Sequence, residues 1–365
     1  MTRARDFADL AGSADAGGIT GKNVLVNGSM AVSQRGTSST GQGASDLFLV
    51  DRFHLNTNGN SAGRFTVSQA SDGPSGIPNS LKLACTTADT SIAASERFFI
   101  EQRLEGQDCQ RFAKGTSDAE AITVSFYVKG NASATYVVGI YDSDNSRQIG
   151  AQFSVTTSWN RVSVTFPADT GGSALDDDTA ESLALRFYLH AGSTYTGGTL
   201  QTTWDTAANN EQVGSGTTSF FDSTDRTFFL TGVQMEVGEK ATPFEHRSFA
   251  DELERCKRYF QQIGSGYGKA SSTSAFDCSV TFNPPMRANP TVSDNGTVIQ
   301  ITNITSADHN QSSVGCADTD TGVTDGTYGG GRVRFSNFSG LTSGTTYAID
   351  HTGSQGGAAT FDAEL

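Results

Sequence analysis

The sequence has no apolar run of the roughly eighteen residues that a membrane-spanning helix requires. Its opening, MTRARDFADLAGSADAGG, also lacks the apolar core of a signal peptide, which predicts a protein made in a reducing cytosol without a cleaved leader. Cysteine is scarce. Cys85, Cys109, Cys256, Cys278 and Cys316 are odd in number, with no pair at C-x-x-C spacing, and are expected to be free thiols. Lys and Arg number 25 against 39 Asp and Glu, and the resulting charge of −14 argues against nucleic acid and anionic lipid as partners. His54, His190, His246, His309 and His351 stand apart, with no pair at zinc-ligand spacing. There is no G-x-S-x-G elbow, P-loop or dinucleotide fingerprint, and the triplet Gly329 to Gly331 lacks the strand-turn-helix context of a phosphate cradle. No cofactor, metal or catalytic residue is therefore expected. A glycosidase, which needs only two carboxylates at the correct separation, leaves no motif and stays open as an alternative.

What the chain does have is 41 glycines and many short apolar or alternating runs. Residues 1–22 read as an arm, with Phe7 and Leu10 three apart on a short helix suited to docking. Between residues 23 and 247, runs such as NVLVNGSM, DRFHLN, LKLAC, FFIEQRL, ITVSFYV, TYVVGIY, LALRFYL, GTLQTTW and RTFFLTGVQMEV, separated by turns, predict one large β-sandwich. Alternation places Ile122, Val124, Phe126 and Val128 on the core face, with Thr123, Ser125 and Tyr127 opposite. Residues 248–263 predict a helix capped by Ser248, with Phe249, Leu253, Cys256, Tyr259 and Phe260 on one face. Three copies around a threefold axis would bury that stripe. After a linker, GSGYGKASSTS, residues 264–365 predict a second, smaller β-sandwich. The fold class is all-β: a jelly-roll sandwich, one connecting helix and a second sandwich.

Two chemistries fit exposed positions. A pyranose has an apolar face that stacks on an aromatic ring, while nearby amides and carboxylates satisfy its hydroxyls. That assigns Trp204, with Asp205 and Asn209, Tyr195 and Tyr141 as candidate glycan contacts, and Trp159 to the core. Asp142, Asp144 and Asn145, and the run Asp176 to Asp178, offer oxygens of the kind calcium takes, but without the EF-hand loop.

Three stretches together resemble bacteriophage tail-fibre and receptor-binding proteins: NVLVNGSMAVSQRGTS with DLFLVDRFHL, then FFLTGVQMEVGEKATPFEHRSFADELERCKRYFQQ, and TFNPPMRANPTVS with AATFDAEL. The second, with its closing strand, Ala-Thr-Pro-Phe-Glu turn and Cys-x-Arg-Tyr helix, is the most specific. The resemblance implies a sandwich like a carbohydrate-binding module, assembly as a homotrimer on a virion, attachment through the N-terminal arm to a tail or portal-proximal protein, and adhesion to a bacterial surface glycan without catalysis. A decoration or connector fibre that recognises no host molecule, or a polysaccharide depolymerase, are the alternatives.

Overall fold

The computed structural model describes residues 21–60, 62–264, 266–293, 300–303, 308–310, 316–320, 328–350 and 359–365. Phe7 and Leu10 lie outside the described residues. The chain divides into two compact units, one ending at Glu252 and taking in Leu365, the other running Leu253–Glu364.

The first unit contains thirteen strands: β1 (Ser38–Gln42), β2 (Leu47–Phe48), β3 (His54–Asn56), β4 (Arg64–Ala70), β5 (Ser80–Thr87), β6 (Arg97–Glu105), β7 (Ile122–Gly130), β8 (Ala134–Asp142), β9 (Arg147–Val155), β10 (Asn160–Phe166), β11 (Glu181–Ala191), β12 (Asp205–Thr206) and β13 (Thr227–Val237). They form two antiparallel sheets, ordered β1-β4-β5-β13-β7-β10 and β12-β9-β8-β11-β6-β3-β2. Each sheet mixes strands distant in sequence, the crossing pattern of a jelly-roll sandwich.

Period-two patterning supplies the core between the sheets. Ile122, Val124, Phe126 and Val128 are buried from one side, and Leu183, Leu185, Phe187 and Leu189 from the other. Phe126 meets Phe187 edge-on at 4.9 Å, and Phe65 lies 4.9 Å from Phe98, so the interior is largely aromatic. Thr123 and Ser125, on the opposite face of the strand, are buried as well. The chain leaving β13 covers them: Thr123 Oγ1 donates to the Gly238 carbonyl at 2.6 Å. Trp159 departs from its expected core position, lying half-buried on the outer side of the first sheet. There its indole N–H donates to Asp72 at 3.1 Å and its ring meets Phe229 edge-on.

NVLVNGSM is not a strand, although Val24, Leu25, Val26 and Met30 are buried. Two backbone bonds, Val24 to the Met235 carbonyl and Val233 to the Gly28 carbonyl, tie it to β13, and side chains supply the rest. Asn23 Oδ1 accepts from the Met235 amide at 3.0 Å, and Asn23 Nδ2 donates to the Val233 carbonyl at 3.1 Å. Glu245 accepts from the amides of Gly21 and Asn23 at 2.6 and 2.8 Å. Arg247 donates to the carbonyls of Asn23 and Leu25 and to Glu252, whose other oxygen accepts from the Asn27 amide at 2.6 Å. The Pro-Phe-Glu-His-Arg turn thus works as a clamp on the first residues of the sandwich.

The helix is shorter than its apolar period implied, running Phe249–Lys257. Ser248 caps it, its hydroxyl accepting from the Asp251 amide at 3.1 Å. Tyr259 lies in a turn and Phe260 opens β14 (Phe260–Ile263), because pairing with a terminal strand overrides the helical period. Cys256, Tyr259 and Phe260 are buried within the single chain, Leu253 is half-buried, and Phe249 is 60% exposed. The stripe assigned to a threefold seam is therefore largely consumed inside one protomer.

The second unit continues with β15 (Tyr267–Ala270), β16 (Phe276–Met286), β17 (Thr291–Ser293), β18 (Gln300–Asn303), β19 (Asp308–Asn310), β20 (Cys316–Asp320), β21 (Tyr328–Phe335), β22 (Thr346–Asp350) and β23 (Ala359–Asp362). A three-stranded sheet, β14-β23-β17, and a seven-stranded sheet, β19-β18-β22-β15-β16-β21-β20, share a core that includes Phe276, Phe282, Phe335 and Phe361. The stretch GSGYGKASSTS, read as a linker, contributes β15 to the middle of the larger sheet.

Arg247→Met keeps the stem of that side chain but removes the cation facing buried Glu252. Breaking a buried pair on one side costs about 3–5 kcal/mol. Urea unfolding at neutral pH should show a loss of that order in the first unit; a change below ~1 kcal/mol would remove the clamp role.

Candidate functional site

The outer face of the second sheet carries three rows set by strand register. Gln148, Tyr141, Ala184 and Arg103 form the first. Gly150, Gly139, Arg186, Glu101 and His54 form the next, with Phe48 beyond His54. Val137, Tyr188, Phe99 and Asn56 lie in the third. Segment 192–214 covers part of this last row, packing Tyr195, Val213 and Leu200 against Phe99, Val137 and Tyr188. The middle row stays partly open. At Gly139 and Gly150 the face dips, since side chains there would meet the Ile149 carbonyl at 2.8 Å and Leu200 at 3.1 Å. The dip, about 10 Å³ and room for about one water molecule, is lined by Tyr141, Tyr188, Gln148, Gln201, Glu211 and Gln212.

Glu101 sits at the centre of the middle row with no exposed surface. Its oxygens meet Arg103 at 2.7 Å, Arg186 at 2.9 Å and His54 Nδ1 at 3.0 Å. Burial opposes its charge, but His54, Arg186 and Arg103 outweigh that and hold its pKa down to about 2. Burial likewise opposes the charge of Arg186, and Tyr188 and Glu101 overcome it, raising the guanidinium above its ordinary range. The same guanidinium lies 4.4 Å from the Tyr141 ring centre and 5.4 Å from that of Phe99, while Arg97 lies between Phe99 and Tyr195 at 4.8 and 4.6 Å. At the far end His54 stacks on Phe48 at 4.6 Å. The result is a stripe of alternating rings and cations edged by amide side chains. Of its rings, Tyr141 and Phe48 are half-buried and leave surface on which a sugar face can stack, whereas Phe99 and Tyr195 are buried.

The candidate residues read from the sequence divide between this face and elsewhere. Tyr141 belongs to it, half-buried beside Arg186. Tyr195 is buried beneath Arg97 and is a wall rather than a platform. Asp205 and Asn209 are exposed near the β9 edge. Trp204 has a packing role: its indole N–H donates to the Pro167 carbonyl at 2.8 Å, and its ring covers the Lys114 ammonium at 4.6 Å. Glu101, Arg186 and His54 were not singled out from the sequence. Their signal was a charged residue amid the apolar runs FFIEQRL and LALRFYL.

The side-chain oxygens of Asp142, Asp144 and Asn145 considered for calcium face the protein's own donors. Lys114, buried, lies between Asp142 and Asp169, 2.8 Å from the latter. Asn145 donates to Asp142 from its amide at 2.9 Å, and Asp144 accepts from the Asp176 amide at 3.0 Å. Burial resists ionisation of Asp169, but Arg147, Lys114 and the Gly171 amide more than offset this and lower its pKa. Among the described residues no cluster of three His, Cys, Asp or Glu side chains could hold a metal ion. Cys85, Cys109, Cys256 and Cys278 are buried and form no disulfide, and burial raises the thiols of Cys85 and Cys278 to about 11.

No family model matches the chain, and no curated protein matches it. Solved structures of similar shape include the enzymatically active domain of tailspike protein 4 of bacteriophage CBA120, at 12% identity over 59% of this chain and TM-score 0.30. This chain spans only 21% of that one. The CBM22-1 xylan-binding domain of Paenibacillus barcinonensis Xyn10C aligns at 13% identity over 60% of this chain and 97% of its own, with TM-score 0.29. A putative sugar-binding protein from Bacteroides thetaiotaomicron aligns at 13% identity over 59% and 100%, with TM-score 0.31. Scores this low carry no functional argument. The jelly-roll assignment stands on the strand order above.

Glu101 has a testable pH signature. Because its folded pKa lies below the ordinary 4.5, the unfolded chain binds the extra proton, and its stabilisation is complete above pH ~4.5 and lost as pH falls towards 2. The shift corresponds to about 3 kcal/mol. Stability measured by urea unfolding from pH 7 to pH 2.5 should fall less steeply below pH 4.5 in Glu101→Gln than in the wild type; parallel curves would contradict the assignment.

Proposed function

We propose that the chain is a virion fibre protein of a bacteriophage that adheres to a bacterial surface glycan through the outer face of its second sheet, without catalysis. The supporting observation is the half-exposed Tyr141 ring with the Arg186 guanidinium held against it, beside the glycine dip. Tyr141 offers a half-exposed ring to a pyranose face, while the amides of Gln148, Gln201 and Gln212 are buried and bonded within the protein, which fixes the surface beside that ring. Glu101 fixes the guanidinium of Arg186 rather than acting on substrate. With no exposed surface, its carboxylate is not placed to meet a substrate.

The phage setting and the homotrimer rest on the sequence resemblance, above all on the strand, clamp and helix from Thr227 to Gln262. The clamp gives that signature a physical purpose in the fold, since Glu245 and Arg247 fasten the start of the sandwich. Attachment to a tail or portal-proximal protein is assigned to the N-terminal arm on the same grounds. On a trimer, weak sites gain strength from effective concentration, so high intrinsic affinity is unnecessary.

An array of bacterial surface glycans probed with wild type and Tyr141→Ala tests the reading. Loss of a stacking ring should weaken the bound signal about tenfold. The thermal midpoint should stay within about 3 °C, because the ring is half-buried on an outer face. Binding indifferent to the substitution, or no glycan bound, would favour a purely structural fibre; release of new reducing ends would favour a depolymerase.

A further inference from the structure

The first unit buries a nucleophile that the outer-face site does not use. Lys114 follows the short 3-10 turn Gln110–Phe112 and is 2% exposed, its ammonium set between two buried carboxylates. Asp142 ends β8, and Asp169 lies in the loop after β10. The Lys114 nitrogen bonds to Asp142 Oδ2 and lies 2.8 Å from Asp169 Oδ2. The backbone fixes this approach. Ala113 takes a left-handed φ of 44°, and the Gly115 amide donates to the Asp169 carbonyl at 2.8 Å. The Trp204 ring, 4.6 Å from the ammonium, covers it.

The two carboxylates are held differently. Arg147 grips Asp169 with two bonds, 2.9 and 3.0 Å, and the Gly171 amide adds a third at 3.0 Å, which keeps that group an anion. Besides Lys114, Asp142 has neutral donors. The Asn145 backbone amide donates to its Oδ1 at 2.9 Å, and the Asn145 side-chain amide to its Oδ2 at 3.1 Å. Amide N–H groups so placed meet the negative charge that develops on a carboxyl oxygen when its carbon is attacked. A lysine amine, a polarised carboxyl carbon and a second carboxylate able to carry a proton, all shut away from water, are the parts of an amide-forming reaction.

We propose that Lys114 and Asp142 condense into an intramolecular isopeptide bond, formed by the fold itself. A proton passes from the Lys114 ammonium to Asp142, which leaves a neutral amine beside a neutral carboxyl group. The amine nitrogen then attacks Cγ of Asp142, and the Asn145 amide meets the charge on Oδ1. Asp169 takes a proton from the nitrogen and delivers it to the hydroxyl at Oδ2, which departs as water. One C–N bond forms, one C–O bond breaks and one water is released, with no oxidant or cofactor. Asp169 ends ionised, as it began. Groups held in such contact react as though at effective concentrations on the order of 10⁵ M or more. The bond would staple the chain leading into β7 of the first sheet to the end of β8 in the second. It stands whether or not the outer face binds a glycan.

Mass spectrometry of the purified full chain, unfolded before injection, tests it. Wild type should weigh one water less than its sequence requires, and Lys114→Arg should show its full mass. A tryptic digest of wild type should contain a branched peptide joining Lys114 to Asp142, with no cleavage after Lys114. Cleavage after Lys129 should proceed, because its partner Asp72 is an exposed carboxylate with ready access to water. Asp169→Asn removes the proton carrier and should slow the appearance of the cross-link about 100-fold in newly made protein whose circular dichroism matches wild type. The wild-type digest decides the matter even where a variant fails to fold. Full mass in wild type, cleavage after Lys114, a lost water that maps elsewhere, or an unchanged rate in folded Asp169→Asn would each overturn the proposal.

Discussion

Glu101 has no exposed surface, so its charge must be matched within the protein, and that requirement ties three neighbouring strands of the second sheet together. Arg103 on its own strand, Arg186 on β11 and His54 on β3 each supply a proton or a positive charge to the same carboxylate. Once Arg186 is held, the rings of Tyr141 and Phe99 have a fixed cation against them, and Phe48 is placed through His54. Without the carboxylate, like charges on β6 and β11 would repel across adjacent strands. The arrangement of the whole outer face follows from that one buried group.

A buried charge network is a poor source of net stability, since desolvation consumes most of its attraction. Its use here is orientation. Flexible arginines on an open sheet would lose entropy on meeting a sugar, whereas those already pinned by Glu101 lose little. The stiff aromatic interior behind the sheet serves the same end, with Phe126, Phe153 and Phe187 packed edge to face beneath the strands that carry the stripe. The two glycines let Leu200 and the neighbouring strand pack closely against that face.

Much of the fold was legible because period-two patterning reports burial directly. Ile122 to Val128 alternated, and the alternating residues face the core. Patterning failed where side-chain bonds replace the ladder, as at Asn23 to Met30, and where a remote strand captures a segment with helical period, as at Phe260. It failed again at Tyr267, whose glycine-rich setting resembles a linker and in fact permits close strand approach. Of the candidate site, Tyr141 was identified as an aromatic at the end of the apolar run TYVVGIY, next to polar DSDN. Trp204 misled because an isolated tryptophan in a polar loop looks the same whether it stacks on a sugar or covers a buried lysine. Glu101 and Arg186 were hidden by distance: 85 residues apart, they become partners only through the pairing of β6 with β11.

The central claim is that ligand meets the outer face of the second sheet. Hydrogen–deuterium exchange of the full chain, with and without the polysaccharide that gives the strongest array signal, tests it most directly. Protection should concentrate in residues 99–103, 137–141 and 184–188, the strand segments that carry the stripe. Protection confined to the first sheet, to the Trp204 loop or to neither would contradict the account.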